Sequence, residues 1–143
     1  MHKITKNGFT LLELLVVIGI IGILISMVVV SFSTAQKKGR DAKRRSDMKT
    51  IQGGFEQYYS DEDISGNTRY AYDTCDNMTT ATYFPSGSRP VDPKNSGSYV
   101  YTCTGTATTY CTCALLEATG TGNSGAGCAY VAGGDYYCLS NLQ

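Results

Sequence analysis

Residues 9–32 form an apolar run broken only by a few small polar residues and one carboxylate, Glu13. A helix needs about 20 such residues to cross a bilayer core, whereas the apolar part of a cleavable secretory signal has about 7 to 15. The run therefore predicts a membrane anchor. It also limits the remainder of the chain: of 143 residues, those after the anchor suffice for one small domain. A core of that size usually needs covalent help, and the six cysteines, all from Cys75 onward, are the obvious source.

The start of the run is more specific than its hydropathy. His2, Lys3 and Lys6 precede Gly8, and Phe9-Thr10-Leu11-Leu12-Glu13 follows at once, with the acid one turn into the apolar helix. This junction resembles the prepilin signature of type IV pilins and type II secretion pseudopilins. The resemblance is specific over residues 1 to about 35. It implies that a membrane aspartyl peptidase, the prepilin peptidase, cuts after Gly8 and that the new N-terminus, Phe9, is methylated.

A carboxylate in a transmembrane helix is costly and usually has a partner. Cleavage after Gly8 would supply one, because the freed amine of Phe9 in a neighbouring subunit carries the opposite charge and attracts Glu13 strongly in low dielectric. That pairing selects a staggered helical stack and makes Glu13 the assembly residue. Thr10-Leu11-Leu12-Glu13 also fits a capping box, in which Glu folds back on the first amides of its own helix. Both readings stand on the sequence. Glu13→Gln separates them by keeping the cap and removing the charge.

The resemblance further implies an α+β fold, with a long N-terminal helix packed on a small antiparallel sheet. The chain then divides into a leader (1–8), a membrane and assembly half of the helix (9–32), an amphipathic half (33–60), a variable connecting loop (61–97) and a disulfide-stapled sheet (98–143). Its implied partners are copies of itself in a homopolymer or mixed filament, the prepilin peptidase, an inner-membrane assembly platform and the membrane, with no nucleic acid. Many pilins carry a proline in the apolar half. Here the first proline is Pro85, which is closer to the pseudopilin pattern.

Charge is unevenly spread. Residues 1–49 hold nine Lys/Arg against three Asp/Glu, net +6, and residues 50–143 hold three against nine, net −6. A basic band at 37–49 is either a solvated helix face or a surface that meets the acidic heads of neighbouring subunits; the second reading predicts fibres that loosen in salt. Six of these basic residues, Lys37 to Arg45, come after the apolar run and by the positive-inside rule oppose a leader-inside orientation. Six cysteines in an exported domain suit an oxidising compartment, and the leader is too short to form a domain, so the N-terminus is placed in the cytoplasm. The expected course is a single-pass inner-membrane precursor, then a surface filament or a periplasmic pseudopilus.

From Ser33 to Ser60 no proline intervenes, and Met48, Ile51, Phe55 and Tyr58 recur on one helical face. One helix from Phe9 to about Tyr59, roughly 75 Å long at 1.5 Å per residue, is expected to press that stripe against the sheet. Gly19, Gly22, Gly53 and Gly54 weaken it, and Gly19 and Gly22 would also let helices pack closely. Asp61, Asp63 and Gly66 partly mimic a calcium loop, but Tyr72 stands where the bidentate Glu is needed; a helix-ending turn is the better reading. Some pseudopilins bind calcium near the sheet, and nothing in the spacing of Asp92 or Asp135 points to such a site. Tyr70, Tyr72, Tyr83 and Phe84 are expected to cover the helix.

Strands are expected at 98–104 and 108–113, joined by Gly105-Thr106-Ala107, and at 128–132 and 135–139, turning at Gly133-Gly134. That hairpin puts Cys103 nearly opposite Cys111, a pairing that a one-residue slip would break. Cys111 and Cys113 share a face. Cys138 is expected with Cys113, which leaves Cys75 with Cys128 among 15 formal connectivities.

Enzymatic chemistry lacks its parts. His2, in the leader, is the one histidine, so neither a thiol nucleophile nor a Ser-His-Asp set has a base, and no phosphate-binding or dinucleotide fingerprint occurs. No cofactor is expected. No metal is expected either, since a zinc site would want CxxC pairs or histidines. The expectation is a structural filament subunit, not an enzyme. The alternatives are a pseudopilin that forms a periplasmic piston, a secreted disulfide-rich domain cut before Gln36, and a binding head on an uncleaved anchor. The mature N-terminus, at Phe9, Gln36 or Met1, discriminates them.

Overall fold

A computed structural model describes residues 8–61, 71–79 and 81–143. His2, Lys3 and Lys6 of the leader, the turn expected after Asp61, and Tyr70 lie outside the described residues. The chain separates into two compact units, residues 1–36 and 37–143. Helix α1 (Leu11–Ser60) contributes to both, and its residues in the first unit are exposed wherever described.

The second unit is α+β. The α1 residues Met48, Ile51, Phe55 and Tyr58 are all buried, the first three completely. They are one helical face because 3, 7 and 10 residues bring the chain back to nearly the same angle at 3.6 per turn. Burying each large apolar side chain contributes about 1.5–3 kcal/mol. Opposite them lies a three-stranded antiparallel sheet, β1 (Thr102–Gly105), β2 (Tyr110–Leu115) and β3 (Tyr136–Ser140), with β2 in the centre. A short helix, α2 (Cys75–Met78), buries Met78 in the same core.

Period-two alternation on β2 gives the sheet two distinct faces. Tyr110, Thr112 and Ala114 face α1: the Tyr110 ring meets Phe55 edge-on with centroids 5.0 Å apart, and Thr112 Oγ1 lies 3.6 Å from Met48 Sδ. Cys111 and Cys113 face the other way and gather Cys128, Cys138 and Tyr136 into a second cluster. That outer face is covered by the chain between β2 and β3. Asn123 donates to the Cys138 carbonyl (2.9 Å) and accepts from the Cys138 amide (2.8 Å), so this loop also occupies the free edge of β3.

Tyr72, Tyr83 and Phe84 cover the helix as expected. Their rings meet Tyr59, Tyr58 and Phe55 at centroid distances of 4.5, 5.6 and 6.5 Å. The hydroxyls find carboxylates: Tyr110 and Tyr72 donate to Glu56, Tyr101 to Asp47 and Tyr83 to Asp61, at 2.7–3.1 Å. Gly54 has a packing role. A Cβ there would stand 2.7 Å from the Phe84 ring, so the missing side chain admits Phe84.

The strand pattern differs from expectation in two places. β1 begins at Thr102, and residues 128–132 form no strand: Ala126–Cys128 is a 3-10 turn, and Tyr130 joins Ser124 through an isolated bridge. The disulfides are Cys75–Cys103, Cys111–Cys128 and Cys113–Cys138. Cys113–Cys138 is the expected pair; Cys103–Cys111 and Cys75–Cys128 are replaced. The reason is register. The connection is a four-residue turn, closed by the Thr106 amide donating to the Thr109 carbonyl (2.8 Å), which sets Cys103 opposite Thr112. Cys103 then points to the α1 side with Thr112 and meets Cys75, and Cys111 is on the far face.

Candidate functional site

Gly8, Phe9 and Thr10 precede α1 without regular structure and are exposed, Phe9 at 86%. The first turn of α1 closes on them reciprocally. The Thr10 amide donates to Glu13 Oε2 at 2.9 Å, the Glu13 amide donates to Thr10 Oγ1 at 3.2 Å, and the Thr10 hydroxyl reaches the same carboxylate oxygen at 2.8 Å. This is the capping box, which satisfies amides that the helix start leaves without internal partners. It sets the acid against the amide of the Phe9–Thr10 peptide bond, one residue past Gly8–Phe9.

Beyond the box, the large apolar side chains lie on all sides of α1 rather than on one stripe, and those described in the first unit are exposed. Ile18 is 60% exposed, Ile23 62% and Phe32 61%. Among the described residues α1 is the one helix long and apolar enough to cross a membrane. A helix apolar all round suits lipid or a bundle of its own kind. Gly19 and Gly22 have open space where a Cβ would stand.

The second unit holds a charged clasp that the sequence did not announce. Arg44 is fully buried and binds Asp92 through Nε (2.7 Å) and Nη2 (3.0 Å), Asp41 through Nη1 (2.7 Å) and Glu117 through the same atom (2.9 Å). Arg40 binds Glu117 with both arms of its fork, at 2.6 and 2.7 Å. Lys94 approaches Glu117 at 3.5 Å and stacks over Tyr99, as does Arg44. Asp41 also accepts from the amides of Glu117 and Ala118, 2.9 Å each. Three carboxylates thus face three cations, a balance that makes burial of the charges tolerable.

Two of these acids, Glu117 and Asp92, are held ionised. Hydrogen bonds from Arg40 and then Arg44 overcome burial and hold Glu117 well below the usual carboxylate range. Burial works to raise Asp92, but Arg44 and the amides of Lys94 and Asn95 outweigh it and hold it low. Every buried side-chain nitrogen and oxygen among the described residues has a partner. These carboxylates are committed to the fold rather than poised for acid–base work.

The expected site residues therefore fall in two places. Gly8 and Phe9 lie just before the helix whose first turn holds Glu13, and the cysteines sit in the sheet unit, all six in disulfides. Part of the basic band is engaged within its own unit: Arg40 and Arg44 bind Asp92 and Glu117, and Lys43 pairs with Asp47 at 2.5 Å. Lys37, Lys38 and Lys49 remain exposed. Asp92 is occupied by Arg44, and Asp135 accepts from the Gly120 amide. The one local signal for the clasp was the i, i+3 spacing of Asp41 and Arg44.

Residues 4–29 match the sequence profile described as the prokaryotic N-terminal methylation motif. The type II secretion system core protein G of Aeromonas hydrophila is 35% identical over 89 residues, which is 62% of this chain and 62% of that protein. The chain thus covers less than two thirds of this relative's length. No solved structure gives a significant match.

Proposed function

The N-terminal motif and the likeness to core protein G support placing this chain in the pilin and pseudopilin family, and on that premise we propose that it is a structural filament subunit, not an enzyme. It is made as a single-pass inner-membrane precursor with its N-terminus in the cytoplasm, cut by prepilin peptidase between Gly8 and Phe9, and methylated at Phe9. An inner-membrane platform then assembles it with copies of itself. In this reading the leader (1–8), the assembly segment (9–32), the amphipathic segment (33–60), the connecting loop (61–97) and the stapled sheet (98–143) are functional divisions.

The observation that carries the reading is the apolar surface exposed on every side of α1 in the first unit, with Glu13 in its first turn bonded to the Thr10 amide. Apolar surface of that extent needs lipid before assembly and helices of its own kind afterwards. The capping box and the charge pairing are compatible in sequence of events. Glu13 caps its own helix in the precursor, and after cleavage a neighbour's Phe9 amine supplies the cation that a carboxylate in low dielectric requires.

A pseudopilus is the form that one observation favours over a surface pilus: the relative found is a core protein of type II secretion. The absence of proline before Pro85 agrees with it. The experiment is mass spectrometry of the mature N-terminus in cells that express the full chain with its peptidase. A methylated Phe9 in a polymer is expected. A start at Gln36, or an intact Met1 in a species that never polymerises, overturns the reading.

A further inference from the structure

We infer that the four cysteines on the outer face of the sheet form, in the reduced chain, a tetrathiolate site for a zinc ion. The Sγ atoms of Cys111, Cys113, Cys128 and Cys138 all lie within 4.8 Å of one another. Backbone geometry accounts for this. Cys111 and Cys113 are two apart on β2 and project from one face, their sulfurs 3.9 Å apart. Cys138 is the register partner of Cys113 across the β2–β3 ladder, with Cα atoms 4.1 Å apart. The 3-10 turn at Ala126–Cys128 brings Cys128 over the pair, and its sulfur is 3.3 Å from that of Cys113 although the two are not bonded.

Zinc bound by four thiolates has Zn–S of about 2.3 Å, so neighbouring sulfurs in a regular tetrahedron stand about 3.8 Å apart. Two of the four unbonded separations, 3.9 and 3.3 Å, bracket that figure, all lie within 4.8 Å, and the two bonded pairs open to it only once reduced. Cys113 and Cys138 are buried at 2% and 0%, as a closed structural site requires. A pocket of about 210 Å³ opens beside Cys111 and Cys128, with Cys103, Gly127 and Tyr136 also on its wall. Cys75 and Cys103 lie on the opposite face with α1 and take no part.

The chemistry balances with an added dithiol. Each disulfide takes up two electrons and two protons while a dithiol closes to its own cyclic disulfide, so two disulfides yield four thiols. One Zn²⁺ then binds four thiolates, and four protons pass to solvent. In an oxidising compartment the disulfides are the standing state. The metal form belongs to the chain before oxidation, where it holds neighbouring sulfurs together ahead of bond formation.

The test uses the full chain in detergent micelles, reduced with a dithiol, freed of it under anaerobic conditions and titrated with Co²⁺ as an optical probe. One cobalt per chain is expected, with the ligand-field and thiolate charge-transfer bands of a tetrahedral tetrathiolate, bleached by added Zn²⁺. With zinc bound, iodoacetamide should modify Cys75 and Cys103 and spare the other four. Cys113→Ser should lose the tetrathiolate spectrum, and the double variant Cys75→Ser/Cys103→Ser should keep it. Binding below one ion per chain, a six-coordinate cobalt spectrum, equal alkylation of all six thiols, loss of binding in the double variant, or a reduced chain that unfolds and stays metal-free would each overturn the assignment.

Discussion

The two units solve opposite problems with the same helix. Residues 8–36 bear apolar side chains on all faces of α1 and bury none of those described, whereas residues 37–60 turn one stripe to a sheet and Arg40, Lys43 and Arg44 to acids of the same unit. The first surface is unfinished by itself. The second is complete, down to three carboxylates matched by three cations. Under the proposed function the difference assigns assembly and folding to separate residues, so each can be disturbed alone.

The largest effect that would sharpen this contrast is expected at Glu13. Glu13→Gln should abolish polymer formation in cells with the assembly machinery while the melting temperature of the sheet unit stays unchanged; normal filaments would break the comparison. Arg44→Ala is the converse. It strands Asp92 and Asp41 without their buried cation, which should cost about 3–5 kcal/mol, measured by denaturant melts of the full chain in micelles, with cleavage after Gly8 unaffected. Gly54→Ala pushes against the Phe84 ring and should cost about 1–3 kcal/mol by overpacking. Gly22→Ala, with open space around it, should leave that melt where it was.

The smallest effect is with pH and is confined to the second unit. Glu117 and Asp92 ionise more readily in the fold than in the unfolded chain. Their contribution is therefore complete above about pH 4.5 and lost as pH falls below the ordinary carboxylate range. At the other end, burial and then the bond to Asp61 push Tyr83 up to about 12. Unfolded tyrosines ionise near pH 10, so stability falls as pH rises from about 10 toward 12. Melts across both ranges check the signs, and Glu117→Gln should flatten the acid limb.

Much of this was legible from spacing. Met48, Ile51, Phe55 and Tyr58 announced a buried stripe because helical periodicity is local, and Thr10 with Glu13 announced both the cap and the charge. The two replaced disulfides were not legible, because partner choice hangs on one residue of register, and the closure of Thr106 on Thr109 set that register. The clasp was hidden for a similar reason. A run of Lys and Arg reads the same whether its partners are neighbours or, as for Arg44, acids 48 and 73 residues further along. The missing strand at 128–132 came from taking apolar residues beside glycine as sheet, where the chain instead bends to bring Cys128 over β2.

The excursion from Ala129 to Ala132 leaves Tyr130 and Val131 each 54% exposed, while the Cys128 disulfide before it and the Gly122 amide bonded to the Gly134 carbonyl after it anchor what surrounds it. Foreign sequence there is expected to disturb the Val131–Asn123 and Gly134–Val131 bonds and leave the β2–β3 ladder and α1 in place. In the proposed filament, an epitope or affinity peptide grafted at Val131 would be presented once for every subunit, in a spacing dictated by the polymer rather than by the graft.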